Sequence, residues 1–243
     1  MPKMLIFDIW GRYAHYKKIY ATTSALSYII PSKTSLYGYV GAILGLSKFE
    51  NAYLSSFLPG SCHLGIQVIN PIIMQRINTN LHPHDKGLIQ ANQNRKPTTV
   101  EYIYQPKYRI FFTHKNTNLL DELEAHLKNH TAVYTPTLGL AYLLSNFEWR
   151  ATVKVDETSQ QETQSISIET VIPRDALESF DLKPDVGNEI IEYSQFALEM
   201  NTAREVTDRT DVLVDRLGNP IQAVVNRFNF YEYHGKKHHI LLF

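Results

Sequence analysis

The pattern of apolar residues predicts an α+β fold. Residues 1–155 read as strand, helix, strand, strand, helix, strand, and residues 156–243 read as a β-rich region. The polar stretch 78–99, set between two strand-like segments, predicts a long hairpin with an extended tip. The six-element order is the split βαβ, or ferredoxin-like, pattern. It divides the chain into a ferredoxin-like part over 1–155, with its hairpin insertion at 75–100, and a smaller β-rich part over 156–243. No tandem repeat at a fixed period is present.

Each element has a local reason. Residues 4–10, MLIFDIW, form a mostly apolar strand with Asp8 as the exception. Residues 27–46, SYIIPSKTSLYGYVGAILGL, contain a helix whose start is marked by Pro31, with Ser32 and Thr34 as capping-type residues. Its first turns carry Lys33 and no acid, the reverse of the usual preference. Free backbone N–H groups, hydroxyls and a lysine make a candidate phosphate site of Ser32, Lys33 and Thr34. Gly38, Gly41, Ala42 and Gly45 fall near one helix face, where the backbone can approach a sheet or a ligand closely. Residues 62–77 predict a strand that Pro71 demotes to an edge or bulge, and residues 100–114 a strand around Pro106. The tip between them, 78–99, carries Lys86, Arg95 and Lys96 and few large apolar side chains, so it is expected to order only on binding RNA or a neighbour. Leu119, Leu120, Leu123 and Leu127 have helical spacing, with Asn118 as the candidate cap. Residues 134–155 turn at Pro136, place Gly139 where the backbone needs freedom, and run into a strand. Residues 156–164 predict a solvated turn. Strands are expected over 165–172, 189–200 and 228–243, the last a hairpin turning at His234, Gly235 and Lys236.

Charge is distributed unevenly. The net charge is zero, yet residues 1–115 hold 13 Lys/Arg against 4 Asp/Glu and residues 116–243 hold 11 against 20. The split predicts a basic face for a polyanion and an acidic face toward protein or solvent. In the basic half Tyr13, Tyr16, Tyr20, Tyr28, Tyr37, Tyr39, Tyr102, Tyr104 and Tyr108 interleave with Arg12, Lys17, Lys18, Lys33, Lys107 and Arg109. Rings for stacking beside cations for phosphates are the composition of a single-stranded nucleic-acid surface.

Several classes are excluded. No stretch of 18 apolar residues and no signal-type start occur, so a membrane protein or secreted precursor is not expected. Cys62, the single cysteine, fits a reducing cytoplasm and rules out a Cys-based zinc site. GxxxxGK[ST], GxGxxG and GxSxG are absent, against a P-loop NTPase, a dinucleotide enzyme or an α/β-hydrolase. The histidines of HGKKHH (234–239) lack an acid partner pattern and read as a basic strand end; no metal or cofactor is expected. One catalytic set is conceivable: His15 as base with Tyr16 and Lys17 or Lys18 could run a metal-independent RNA cleavage. Three readings therefore stand at the level of residues: an RNA-binding subunit, an RNA-processing endonuclease, and a plain interaction module.

The first strand, the SYxxPxxTxxxGxxGAILGL block and the later TPTLGLAYLL together resemble the CRISPR-associated Cas-five family of the RAMP superfamily, nearest its type I-B branch. The resemblance implies a ferredoxin-like, RRM-related domain in which the insertion at 78–99 is a thumb over the guide RNA. It implies a cytoplasmic, non-catalytic subunit of the Cascade ribonucleoprotein in antiviral defence. That subunit grips the 5′ handle of the crRNA, abuts the large subunit and the first Cas-seven-family backbone subunit, and meets target DNA through the complex. Candidate RNA contacts are Arg12, Tyr13, His15, Lys17, Lys18, Tyr28, Ser32, Lys33, Thr34, Tyr37, Arg76, Lys86, Arg95, Lys96 and Gly139. The type I-C branch of the family cleaves precursor crRNA, which keeps the endonuclease as the alternative.

Overall fold

The computed structural model describes residues 2–18, 25–81, 96–158, 164–180 and 187–243. Along the chain β1 (Lys3–Gly11) leads to α1 (Lys33–Leu44), then β2 (Cys62–Val68), β3 (Ile73–Leu81), β4 (Lys96–Tyr104), β5 (Lys107–His114), α2 (Thr117–Lys128) and β6 (Ser145–Lys154). Farther on, β7 (Ile190–Met200) and β8 (Val206–Asp215) form one hairpin, and β9 (Phe228–Tyr233) and β10 (Lys236–Ile240) another. The fold is α+β and rich in strands.

The central sheet has the order β2-β5-β1-β6, and every pairing in it is antiparallel. The first strand is apolar almost throughout because both of its faces are covered. Leu5, Phe7 and Ile9 pack with Leu36, Val40 and Ile43 of α1 and Leu120 and Leu123 of α2. Met4 and Ile6 point the other way, onto Phe111, Tyr231 and Ile240. Asp8 shares that second face and is buried, and the cross-strand Arg109 grips its carboxylate at 2.8 and 3.2 Å.

Two prolines mark where the hairpin leaves this sheet. The strands expected over 62–77 and 100–114 are each broken in two, at Pro71 and at Pro106. The outer pieces, β2 and β5, stay in the sheet. The inner pieces, β3 and β4, pair with each other from Ile73↔Tyr104 to Leu81↔Lys96 as a separate ribbon. A proline donates nothing to a ladder, so it falls where the ladder changes partner. Gln105, at φ 47°, makes the same break beside Pro106. Of the expected mobile tip, residues 82–95, including Lys86 and Arg95, lie outside the described residues; Tyr20 does too.

Both helices are capped by side chains. Ser32 accepts the N–H of Ser35 at 3.1 Å, and α1 ends at Gly45 in the left-handed region. The cap of α2 is Asn116, which accepts from the N–H groups of Asn118 and Leu119. The cap expected at Asn118 is therefore two residues late, and Asn118 donates where it was expected to accept. The strand expected over 165–172 is two short ones, Ile166–Ile168 and Ile172–Pro173. Between them Val171 donates to Ile66 O at 2.8 Å and Thr170 bonds Leu241, so the chain steps from one sheet to another. The expected turn at 156–164 begins as a strand, Asp156–Thr158, paired with β9; residues 159–163 lie outside the described residues.

The core does not stop at residue 155. Val171, Tyr193, Phe196, Val212, Val214 and Phe243 belong to the same buried cluster as the α1 and α2 residues. Phe243 also exchanges two backbone hydrogen bonds with Leu64, covering the β2 edge. No helix among the described residues is long and apolar enough to cross a membrane.

Candidate functional site

A cleft of about 780 Å³ opens along one face of α1. One wall is the helix, with Thr34, Ser35, Gly38, Gly41 and Ala42. A second is the segment after α2, with Tyr134, Thr135, Thr137 and Gly139, backed by Tyr16 and Tyr39. A third is the turn and short helical stretch after α1, giving Lys48 and Tyr53; a fourth is the β7–β8 turn, giving Met200 and Arg204.

The small residues on α1 explain why the helix wall is open. A Cβ at Gly38 would meet nothing within 4 Å, so packing does not require glycine there, and the bare backbone faces the cleft. Gly139 is required for a different reason. Its φ is 99°, and a Cβ would lie 1.9 Å from the carbonyl oxygen of His15. Only glycine lets these two segments touch.

The hydroxyls at the start of α1 bond one another: Ser32 Oγ lies 2.9 Å from Thr34 Oγ1 and 2.8 Å from Ser35 Oγ. Tyr16 is buried, and its hydroxyl has no hydrogen-bond partner among the described residues although its ring lines the cleft. Burial pushes that phenol well above its usual pKa, so it is a neutral donor.

Lys33 has a different place from the one the sequence suggests. Its side chain is 3% exposed, and its ammonium donates to Glu199 of β7 at 2.6 Å. Tyr37 donates to the other oxygen of the same carboxylate at 2.7 Å and stacks on Phe57. Burial, aided by that carboxylate, raises the Tyr37 phenol far above its normal range, and burial pushes the nearby Cys62 thiol up to about 11. The lysine without a local acid is thus partnered by an acid 166 residues away, and it is not presented to a phosphate.

The remaining candidate residues lie in different places. Tyr16, Thr34 and Gly139 meet in the cleft. Tyr13 lies along the β4 ribbon instead, with its ring near Tyr102 and Tyr104, Arg12 over its face and its hydroxyl on Gln75. Arg76 is exposed on β3 and paired with Glu101 at 3.0 Å, and Lys96 begins β4. Tyr28 is buried against Tyr193 and Phe196, and Lys18 rests over the Tyr28 and Tyr193 rings. Lys17 is exposed.

His15 is 3% exposed, and its Nδ1 lies 2.7 Å from the Glu101 carbonyl oxygen, its ring beside Tyr102. Tyr16, the next residue, points to the opposite side, toward the cleft and Tyr108. The His15–Tyr16–Lys17 set therefore does not converge.

Sequence reasoning missed Lys48, Tyr53, Tyr134 and Arg204. None lies in a recognisable motif; only Tyr134, beside the TPTLGL segment, stood next to a signal. Among the described residues no cluster of three His, Cys, Asp or Glu is placed to hold a metal.

The fold and cleft define an α+β protein with a hydroxyl- and tyrosine-lined groove at a helix start. The chain belongs to the family described as "CRISPR-associated protein (Cas_Cas5)", whose profile matches residues 4–141. Among solved structures it is similar to a CRISPR protein from Archaeoglobus fulgidus, with 14% identity, 98% of each chain covered and a TM-score of 0.53. A crystal structure of a Cas protein matches over 58% of each chain at 12% identity and a TM-score of 0.38. A chain of a CRISPR RNA-guided surveillance complex matches at 10% identity over 90% of this chain and 91% of that one, with a TM-score of 0.46. No individually curated protein is a significant match.

Proposed function

We propose that this chain is an RNA-binding subunit of a type I, I-B-like Cascade surveillance complex, and that the α1 cleft grips the 5′ handle of the crRNA. The observation that carries this reading is the cleft's chemistry in a chain of this family: a bare helix backbone, hydroxyl donors, and tyrosine rings in one groove. Unstacked bases of single-stranded RNA are held by such rings and donors. On this reading the β2-β5-β1-β6 sheet with its two helices is a ferredoxin-like domain over 1–155. The β3–β4 ribbon is then the thumb, and the β-rich region 156–243 braces the cleft. Exposed Arg12 and Lys17 would meet backbone phosphates outside it. The large subunit and the first Cas-seven-family subunit are the protein neighbours, and foreign DNA is met through the assembled complex.

The same reading makes the chain non-catalytic. His15 is enclosed and its Nδ1 donates to a backbone carbonyl, which holds it as a structural tie between β4 and the loop after β1. Two experiments test these statements. Co-expression with the other complex subunits and a repeat–spacer RNA should yield this chain in a particle holding one RNA of defined length; recovery free of RNA would sink the binding reading. Incubation with precursor crRNA in EDTA should leave the RNA intact. Site-specific scission that His15→Ala abolishes would turn the assignment to the endonuclease.

A further inference from the structure

We infer that Lys48 and Arg204, from opposite parts of the chain, form a two-cation clamp that holds the phosphate backbone of the strand in the α1 cleft. This rests on the RNA-binding reading and adds the residues that would hold the anion, one of them in the half of the chain whose charge is acidic overall.

Both residues line the cleft, and among the described residues neither has an acid within ion-pair distance. Lys33, the lysine at the start of the helix, is held by Glu199 and does not serve as this cation. The segments that carry the two side chains are tied to each other by hydrogen bonds. The β7–β8 turn docks on the turn that follows α1 through Asn51 Nδ2, which donates to Thr202 O at 3.2 Å. Lys48 O in turn accepts the Asn51 N–H at 2.9 Å, and Arg204 N–H donates to Asn201 O at 3.0 Å within the hairpin turn. The hairpin is fixed two residues before that turn by Glu199, through Lys33 and Tyr37.

The backbone at Arg204 is the second observation. Its φ is 64°, a left-handed conformation that glycine or asparagine adopts more readily than arginine. The turn needs no long side chain, since Asn201 closes it by bonding Glu205 N–H at 2.9 Å. An arginine at a position that disfavours it is accounted for if its guanidinium reaches a ligand.

The test uses the purified full-length chain and a fluorescein-labelled single-stranded 12-nucleotide RNA of repeat sequence, titrated at several salt concentrations. Arg204→Gly and Lys48→Ala should each weaken binding about tenfold and lower the slope of log K against log salt by about 0.7. Arg204→Gly should leave the melting temperature unchanged or raised, which separates lost contact from lost fold. Unchanged affinity and slope in both variants, with the wild type binding, overturns the clamp while leaving the RNA-binding reading intact. A wild type that binds none of this RNA overturns that reading and the clamp with it. A variant whose slope is unchanged but whose melting temperature falls would assign its residue to packing, which also overturns the clamp.

Discussion

At the scale of single residues, the Lys33–Glu199–Tyr37 group decides how the start of α1 behaves. A buried carboxylate held by an ammonium at 2.6 Å and a phenol at 2.7 Å tolerates no missing partner. Glu199→Ala leaves a buried ammonium uncompensated and should destabilise the chain by about 3–5 kcal/mol. The double variant Lys33→Met/Glu199→Ala should recover much of that, because both charges are then gone. Urea unfolding midpoints of the three proteins provide the check; a double variant as unstable as Glu199→Ala would refute the charge argument. Gly38 makes the opposite case. Glycine inside a helix costs about 1 kcal/mol relative to alanine, and no neighbour lies within 4 Å of a Cβ there. Gly38→Ala should therefore raise stability by about 0.5–1 kcal/mol while narrowing the cleft and weakening RNA binding. A stabilised variant with undiminished binding would show that the open helix wall is not used. The motif reading picked out both Lys33 and Gly38, but their roles differ: the lysine is structural and the glycine faces the cleft.

At the scale of elements, α2 is tied to the sheet by Glu124. Burial opposes its ionisation, but hydrogen bonds from Lys128, Lys3 and Thr152 outweigh this and draw the carboxyl from 4.5 down to about 2. A carboxyl with a lowered folded-state pKa stabilises fully above its unfolded value. That contribution fades as pH falls from about 4.5 toward 2. Glu124→Gln should flatten this acid limb. Unfolding midpoints measured from pH 7 to pH 2.5 test it, and an unchanged acid limb in the variant would remove Glu124 as the cause. The sequence made α2 legible through its four leucines, which are all buried, but placed the cap at Asn118 rather than Asn116. Both asparagines stand at an acceptable spacing, and only the backbone angle at Asn116, φ −81° and ψ 104°, selects the acceptor. The sequence marks Pro71 as an edge or bulge and runs a strand through Pro106. They are points of exchange between two ribbons, which depends on which strand lies alongside.

At the scale of the whole molecule, the two parts read from the sequence share one core. Phe196 is fully buried against Tyr28, and Val212 and Val214 join the cluster that holds α1. A fragment of residues 1–155, though it contains the four-stranded sheet and both helices, should therefore expose these apolar surfaces and fail to unfold cooperatively. Phe196→Ala in the full chain should cost about 3–5 kcal/mol. Calorimetry of the fragment and the variant gives the answer: a fragment with a sharp, two-state transition would make 1–155 an independent unit.

The sequence by itself determined the α+β class, the positions of both helices and the first strand, the β9–β10 hairpin with its turn at His234 and Gly235, and the family. Those features follow from periodicity, caps and turn residues, which act over a few neighbours. Tertiary structure alone decided which cations are free. Lys33 is neutralised by Glu199, Arg109 by Asp8 and Arg76 by Glu101, whereas Lys48 and Arg204 stand without an acid partner among the described residues. An ion pair forms between groups that meet in space, so its partners, here up to 166 residues apart, leave no spacing for a sequence to display.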